Sequence, residues 1–173
     1  IYLNHSTPEI FENVIILNNV ASNDGGGVYL NNSDIYHAEN IEIYSNNSNR
    51  NGGGICLIDS SSMHIRGDLI TYINENEATD NGGGLYINES TFNGENIHFY
   101  SNKSDVDGGA IFIADGGEIE LIQTILKENN AVNNGGAINL NGDNTILNIQ
   151  YGVINDNYSE NSSILYSNNG FIR

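Results

Sequence analysis

Hydrophobic and polar residues alternate in short runs that recur along the whole chain at a nearly fixed spacing. In one run an apolar residue, an aromatic residue and a second apolar residue follow each other, as in Val28-Tyr29-Leu30. Alternation with a period of two places the first and third residues on one face of a β-strand. The first apolar residue of each copy is an anchor for alignment, and the anchors are Ile1, Val28, Ile55, Leu85, Ile111, Ile138 and Leu165. Successive anchors are 27, 27, 30, 26, 27 and 27 residues apart, and this regular spacing indicates a repeat architecture.

Each repeat contains two further apolar segments. One ends in an apolar residue three positions before a recurring Asn, as in Ile97-His98-Phe99. The other is weaker and lies near Ile10, Ile35, Met63, Phe92, Ile119 and Ile146. No segment shows a 3.6-residue apolar stripe, so the pattern predicts an all-β protein with three short strands per repeat. About six coils of ~27 residues would stack as a parallel β-solenoid over residues 1–173, with the 30-residue repeat bulging near residues 68–70.

Polar and small residues align in columns between the apolar segments. We predict an inward Asn ladder, in which each side chain hydrogen-bonds to its neighbours, formed by Asn19, Asn46, Asn76, Asn102 and Asn129, with Asp156 in the last copy. Ala or Ser follows two residues later, with Tyr158 as the exception. A column of Asp or Asn then precedes a glycine pair, which becomes Ser162-Ser163 in the last repeat. These residues are typical of a tight corner.

Two motifs give the repeat a family resemblance. Phe99-Tyr-Ser-Asn102 matches an FxxN motif, and Gly108-Gly-Ala-Ile111 and Gly135-Gly-Ala-Ile138 match a GGA[ILV] motif. The pair resembles the repeat of chlamydial polymorphic outer-membrane proteins and, more broadly, of right-handed parallel β-helix surface proteins. The resemblance implies a right-handed β-helix on a cell surface. Members of that family are autotransporter passengers, and some are adhesins.

The net charge limits the classes of partner that are expected, and the cysteine content limits the possible disulfides. Five basic residues against 22 acidic residues give a formal net charge of −17. Nucleic acid and anionic membrane surfaces both require clustered Lys and Arg, so neither is expected as a partner. The single cysteine, Cys56, excludes an internal disulfide framework and is expected to be inert.

The middle residues of the first run are predicted to point outward. Rings in such a column offer flat apolar area with polar tips, which suits protein or sugar binding, although β-strands favour aromatic residues in any case. The candidate binding stripe is Tyr2, Tyr29, Tyr86, Phe112 and Tyr166, and Cys56 and Asn139 interrupt it.

Seven N-x-[ST] sequons occur, and three of them share one position just past the first strand. Asn4, Asn31 and Asn88 are therefore the candidate N-glycan acceptors if the source glycosylates such sites. Asn46 and Asn102 also head sequons, but the inward ladder should make them inaccessible.

Catalytic and metal-binding constellations are not apparent. The five basic residues fall in different columns, and the four histidines form neither a column nor a spaced metal pair. We therefore predict no catalytic residues, no metal site and no cofactor. Regular columns without long insertions also argue against an enzyme, because solenoid enzymes build their sites from loops.

The leading functional hypothesis is a non-enzymatic extracellular β-helix, either an adhesin passenger or a surface-fibre segment, that binds through its lateral faces. A self-stacking filament subunit that associates end to end is the second hypothesis, and a polysaccharide lyase or hydrolase is the third. In each case we expect the chain to be an excerpt of a longer repeat protein.

Overall fold

The computed structural model describes residues 1–161 and 163–173, and it is built entirely from β-strands joined by turns. Every strand pairing is parallel, and each strand pairs with its equivalents in the adjacent coils. The predicted parallel β-solenoid of about six coils is therefore confirmed. Its right-handed sense stays a prediction from the family resemblance. Ser162, part of the predicted loss of the glycine pair, lies outside the described residues.

The first run of each repeat forms sheet A. Tyr2, Tyr29, Cys56, Tyr86, Phe112, Asn139 and Tyr166 stand in register across it, as the alignment of anchors predicts. Its seven strands, in spatial order, are β1 (Tyr2–Asn4), β4 (Val28–Asn31), β7 (Ile55–Ile58), β11 (Leu85–Ile87), β15 (Ile111–Ile113), β19 (Ile138–Asn141) and β23 (Leu165–Asn168).

The other two apolar segments of each repeat both lie in sheet B. The first two of its strands run continuously around a corner, and the later coils divide there into two strands. Its strands are β2 (Phe11–Leu17), β5 (Asp34–Tyr44), β8 (Ser62–Ile65), β9 (Thr71–Asn74), β12 (Thr91–Glu95), β13 (Ile97–Tyr100), β16 (Glu118–Ile122), β17 (Ile125–Lys127), β20 (Ile146–Gln150), β21 (Val153–Asn155) and β24 (Phe171–Ile172).

Sheet C is formed by two-residue strands that carry the small Ala/Ser column. The sequence pattern assigned this column to a corner, and the structure adds a short hydrogen-bonded ladder there. Its strands are β3 (Val20–Ala21), β6 (Asn47–Ser48), β10 (Glu77–Ala78), β14 (Lys103–Ser104), β18 (Asn130–Ala131) and β22 (Tyr158–Ser159).

Inward side chains from sheets A and B fill the interior of every coil. In the third coil Ile55 and Leu57 of sheet A and Met63 and Ile73 of sheet B are all fully buried. Phe92 and Phe99 are the largest of the fully buried side chains. Burial of one such side chain contributes about 1.5–3 kcal/mol, so the stacked apolar columns provide the main driving force for folding.

Left-handed backbone marks the corners. Residues with φ near +50° recur at three corner positions in most coils, as at Asn32, Asn40 and Ser45. A fourth column contains the first glycine of each pair, such as Gly82 at φ +67°. Asn and glycine adopt this conformation with little strain, which explains why they occupy corners such as Asn32, Asn40 and Gly82.

The long repeat is accommodated by a loop at the corner of sheet B. Residues 66–70 protrude between β8 and β9, where the predicted bulge lies, and Leu69 and Ile70 are exposed. The neighbouring strands keep their pairing on both sides of the loop. Asn96 anchors the backbone of the loop, because its Nδ2 donates to the carbonyl of Gly67 at 2.9 Å.

The last coil departs from the sequence alignment by one residue. The turn between β19 and β20 is one residue longer than its predecessor, so Leu147 rather than Ile146 enters the buried column. Asp156 consequently occupies a left-handed corner, while Asn157 joins the Asn ladder and Ser159 pairs with Ala131. At the other end Ile10 is 67% exposed and does not belong to the inner segment. The predicted positions of Asp156, Tyr158, Ile146 and Ile10 were therefore wrong.

Candidate functional site

Two ring stacks lie on the outer face of sheet A. Tyr2 and Tyr29 are parallel within 6°, with ring centroids 5.2 Å apart. Tyr86 and Phe112 form a similar pair at 5.6 Å. Register places each ring directly beside its partner in the adjacent coil, so the stacking follows from the repeat itself. Cys56 separates the two pairs.

The outward column is less exposed than the sequence pattern predicts. Tyr2 is 68% exposed and Tyr29, Tyr86 and Tyr166 are half-buried, but Phe112 is only 5% exposed. Cys56 and Asn139 are also buried. Phe112, Cys56 and Asn139 stand on the outer face of sheet A, as predicted, but they are buried, so this part of the column is not accessible to a partner.

The glycine corner explains this burial. A Cβ built on Gly108 would lie 2.9 Å from the Cβ of Phe112, and one built on Gly52 would lie equally close to that of Cys56. The turn therefore folds back over the outer face of the strand that follows it. The aromatic stripe is reduced to its Tyr2 and Tyr29 end and the half-buried rings of Tyr86 and Tyr166.

A groove of about 590 Å³ opens beside the Tyr2–Tyr29 stack. Arg50 lies in it between two carboxylates, with Nη1 3.8 Å from Asp24 Oδ2 and Nε 3.9 Å from Asp80 Oδ2. The phenolic pKa of Tyr29 is raised, chiefly by burial. The groove is lined by Tyr2, Val20, Ala21, Ser22, Asn23, Asp24, Tyr29 and Arg50. It combines a flat aromatic surface with charged hydrogen-bonding groups.

A second aromatic cluster lies on the outer face of sheet B. The ring of His98 makes edge contacts with Tyr72 and with Tyr100, both at centroid distances of 5.5 Å. Burial lowers the pKa of His98, which favours the neutral imidazole. The sequence interpretation did not single out these residues, although their outward positions in the alternating run were the available signal.

The Asn ladder satisfies its own polar groups throughout the interior. Asn102 Oδ1 accepts from both the backbone N and Nδ2 of Asn76, at 3.1 Å each. Its Nδ2 donates to the carbonyl of Ile73 at 2.7 Å and to Asn129 Oδ1 at 3.0 Å. Asn46, Asn76 and Asn129 are likewise buried, whereas Asn19 at the first coil is exposed. Within the described residues, the buried members of the ladder have their side-chain polar atoms hydrogen-bonded, so the ladder stabilises the stack of coils.

A second polar ladder runs along the glycine corner in the opposite direction. Asn51 donates to Asp24 Oδ1 through both its backbone N and its Nδ2, and Asn81 donates in the same way to Asn51. Asn134 repeats this arrangement with Asp107. An ionised Asp can accept but not donate, so each Asp begins a new series. These contacts agree with a turn-capping role for the Asp/Asn column.

The candidate glycan acceptors stand at the end of sheet A strands. Asn4 is exposed, and Asn31 and Asn88 are half-buried. Asn31 and Asn88 interact with the side chains of Tyr29 and Tyr86, respectively. Asn46 and Asn102 are at most 1% exposed. Glycosylation at Asn4, Asn31 and Asn88 stays a prediction.

The loop of residues 66–70 borders a smaller groove on sheet B. It has a volume of about 170 Å³ and is lined in part by Arg66, Glu95 and Glu120, which lie in three successive coils. The sequence interpretation treated the basic residues as scattered, and this grouping depends on the loop. Like the groove at Arg50 and Asp24, it places a cation and carboxylates on one concave surface.

Three potential metal ligands converge on the outer face of the first two coils. His37 Nε2 lies 2.8 Å from Glu12 Oε1 and 3.9 Å from Glu39 Oε2. The ligand atoms of all three residues lie within 4.8 Å of one another. The sequence interpretation predicted no metal cluster because it searched for His columns and His pairs. The missed signal was the 27-residue separation of Glu12 and Glu39, which equals one coil.

The fold and the repeat define a class of protein, the parallel β-solenoid with FxxN and GGA[ILV] corners. Within that class, residues 13–31 and 96–114 match the Chlamydia polymorphic membrane protein repeat. The resemblance inferred from the motifs is therefore confirmed, and it fits a location at the outer membrane or cell surface. Searches of curated proteins and of solved structures gave no match. In the described residues no helix has the length and apolar character needed to cross a membrane.

Proposed function

We propose that this chain is part of a non-enzymatic cell-surface scaffold of the adhesin-passenger type, which binds an extracellular glycan at the groove beside Tyr2 and Tyr29. The observation that carries the proposal is the parallel ring stack at the edge of a groove that contains Arg50 and Asp24. Aromatic faces pack against the apolar faces of sugar rings, and charged side chains bind the hydroxyl groups at the sugar edge.

The size and charge of the groove support a neutral or cationic sugar. A volume of about 590 Å³ lies within the usual range for small-ligand sites. The chain has a net charge of −17, and Arg50 already lies between Asp24 and Asp80. Sulfated or uronate-rich polysaccharides would therefore be repelled.

A glycan array probed with multivalent, bead-displayed protein tests the proposal, because display raises the avidity of weak sites. We expect binding to neutral or amino sugars that weakens by about tenfold or more, equivalent to ~1.4 kcal/mol, in Tyr2→Ala and Tyr29→Ala. Tyr36→Ala is the matched control, since Tyr36 is similarly exposed on sheet B. Failure to bind any glycan, or an equal loss in the control, would contradict the proposal.

The two alternative hypotheses have separate readouts. Release of unsaturated or reducing ends from acidic polysaccharides would favour a lyase or hydrolase, for which the groove at Arg66, Glu95 and Glu120 is the place to begin mutation. Light scattering of the purified chain tests end-to-end association, and a strict monomer excludes it.

A further inference from the structure

We propose that Glu12, His37 and Glu39 form a surface site for a divalent transition-metal ion of the zinc type. The site joins two coils, since Glu12 belongs to β2 whereas His37 and Glu39 belong to β5. It is independent of the proposed glycan groove, which lies on a different sheet.

The register of the two strands brings the carboxylates face to face. Glu12 and Glu39 are direct cross-strand partners, and like charges in that position destabilise a sheet. Among the described residues, the ion pairs of both carboxylates are with His37. A protonated imidazole would offset one negative charge, whereas a divalent cation would offset both.

A β-bulge in β5 orients the imidazole of His37 toward Glu12 and Glu39. Between Ile35 and Ala38 the register of β5 against β8 shifts, so that Tyr36 and His37 stand opposite the single residue His64. Such a bulge redirects side chains, and here it brings His37 Nε2 to the two glutamates.

The position of Glu39 is fixed from the far side. A Cβ built on Gly67 would lie 2.6 Å from Glu39 Oε1, so the protruding loop packs directly against this carboxylate. The residues that follow the two glutamates are also joined, because Asn40 Nδ2 donates to Asn13 Oδ1 at 2.8 Å. The Glu39 carboxylate and the backbone beside both glutamates are therefore held in place before any ion binds.

The chemistry of the ligands selects the ion. One imidazole nitrogen and two carboxylate oxygens match zinc, which binds such donors in tetrahedral geometry and leaves a fourth position for water or a partner's ligand. Calcium requires six to eight oxygens, which two glutamates and one histidine do not supply.

Zinc titration of the tag-free chain, followed by calorimetry and by the histidine side-chain NMR signals, tests the site. We expect one zinc ion per chain and a change in the signals of one of the four histidines. His37→Asn, Glu12→Gln and Glu39→Gln should each weaken binding by more than about tenfold. Circular dichroism of each variant verifies that it is folded.

The controls are Glu42→Gln and His98→Asn, which remove a glutamate from the same strand and a histidine from the same sheet. Both should bind zinc as the unaltered chain does, and millimolar calcium or magnesium should not displace it. Unchanged zinc affinity in folded His37→Asn, or displacement by calcium, would overturn the proposal.

Discussion

Asn is suited to the interior ladder because its amide provides both a donor and an acceptor group at the spacing of one coil. Asn102 accepts twice and donates twice, so a buried polar side chain carries no unpaired atom. Asp lacks the donors, and an apolar residue would leave the carbonyl of Ile73 without its partner. This column was predictable because the Asn residues recur at the period of the fold.

Asn102→Ala should lower the free energy of unfolding by about 3 kcal/mol or more, because it removes four buried hydrogen bonds and takes the side-chain acceptor away from the buried backbone N of Asn76. The matched variant is Asn19→Ala at the exposed end of the same ladder, with an expected loss of ~1 kcal/mol. Urea denaturation measures both, and equal losses would contradict this account of the ladder.

Asn139, in the outer column on sheet A, is unfavourable for the stability of the fold. It is 1% exposed, and within the described part of the chain neither its Oδ1 nor its Nδ2 has a hydrogen-bond partner. Its neighbours in register are Phe112 and Tyr166. Asn139→Phe should therefore raise the unfolding free energy by about 1–2 kcal/mol. Asn139→Ala removes the polar atoms without adding a ring, so it separates the two contributions to stability. A lower unfolding free energy in Asn139→Phe would contradict the prediction.

Cys56 gives the stability a dependence on alkaline pH. Burial, and next the nearby charge of Asp24, raise the pKa of its thiol well above 9.0. The folded chain then keeps a proton that the unfolded chain releases, so stability falls as the pH rises above about 9. Cys56→Ala should lose less stability than the unaltered chain between pH 8 and pH 10, as followed by urea denaturation at each pH. Parallel curves for the two proteins would show that the thiol does not contribute.

At the scale of the element, the glycine corner limits what the sequence pattern could predict. Period-two alternation correctly assigned the inward faces of sheet A, as Leu85 and Ile87 show. It could not show that the preceding glycine corner covers Cys56, Phe112 and Asn139, because that contact depends on a left-handed turn folding back over the strand that follows it. The Glu12–His37–Glu39 cluster escaped prediction for a similar reason, since a strand bulge redirects His37.

The two adjacent positions Gly83 and Gly84 should differ in their tolerance of a methyl group. A Cβ on Gly83 would lie 2.4 Å from the Lys103 carbonyl oxygen and 2.5 Å from that of Gly109. A Cβ on Gly84 would lie 2.8 Å from the carbonyl oxygen of Ala110, but the next coils carry Ala110 and Ala137 at this position and bury both methyl groups. Gly83→Ala should cost about 3 kcal/mol or more and Gly84→Ala about 1 kcal/mol. Thermal unfolding of both variants provides the comparison, and a reversed order would contradict it.

The whole molecule is a stack of coils whose charges lie close together along parallel columns. Strands in adjacent coils are about 4.8 Å apart, so the excess of 22 acidic over five basic residues produces repulsion between coils. The period, the number of coils and the register were predictable because one alignment fixes all of them. The one-residue shift after β19 was not, because a turn of four or five residues gives no periodic signal.

Added salt should stabilise the stack by screening this repulsion. Between about 0.02 M and about 0.5 M NaCl we expect the Tm to rise by several degrees, as the screening length falls below the spacing of a few coils. Differential scanning calorimetry measures the change, and KCl should have the same effect. A Tm that falls with salt would show that ion pairs such as Lys103–Glu77 outweigh the repulsion.

The loop of residues 66–70 shows that one coil can lengthen at a corner while the coils on either side keep their spacing. A peptide inserted there would therefore be held at a fixed position along the solenoid axis, on one lateral face. Equivalent corners recur in the other coils, as at Asn96 and Gln123. The scaffold could thus present several different inserted segments in one row, with about 4.8 Å between successive attachment points. A repeat protein of this kind can acquire new recognition surfaces by extending single turns, without rebuilding its core.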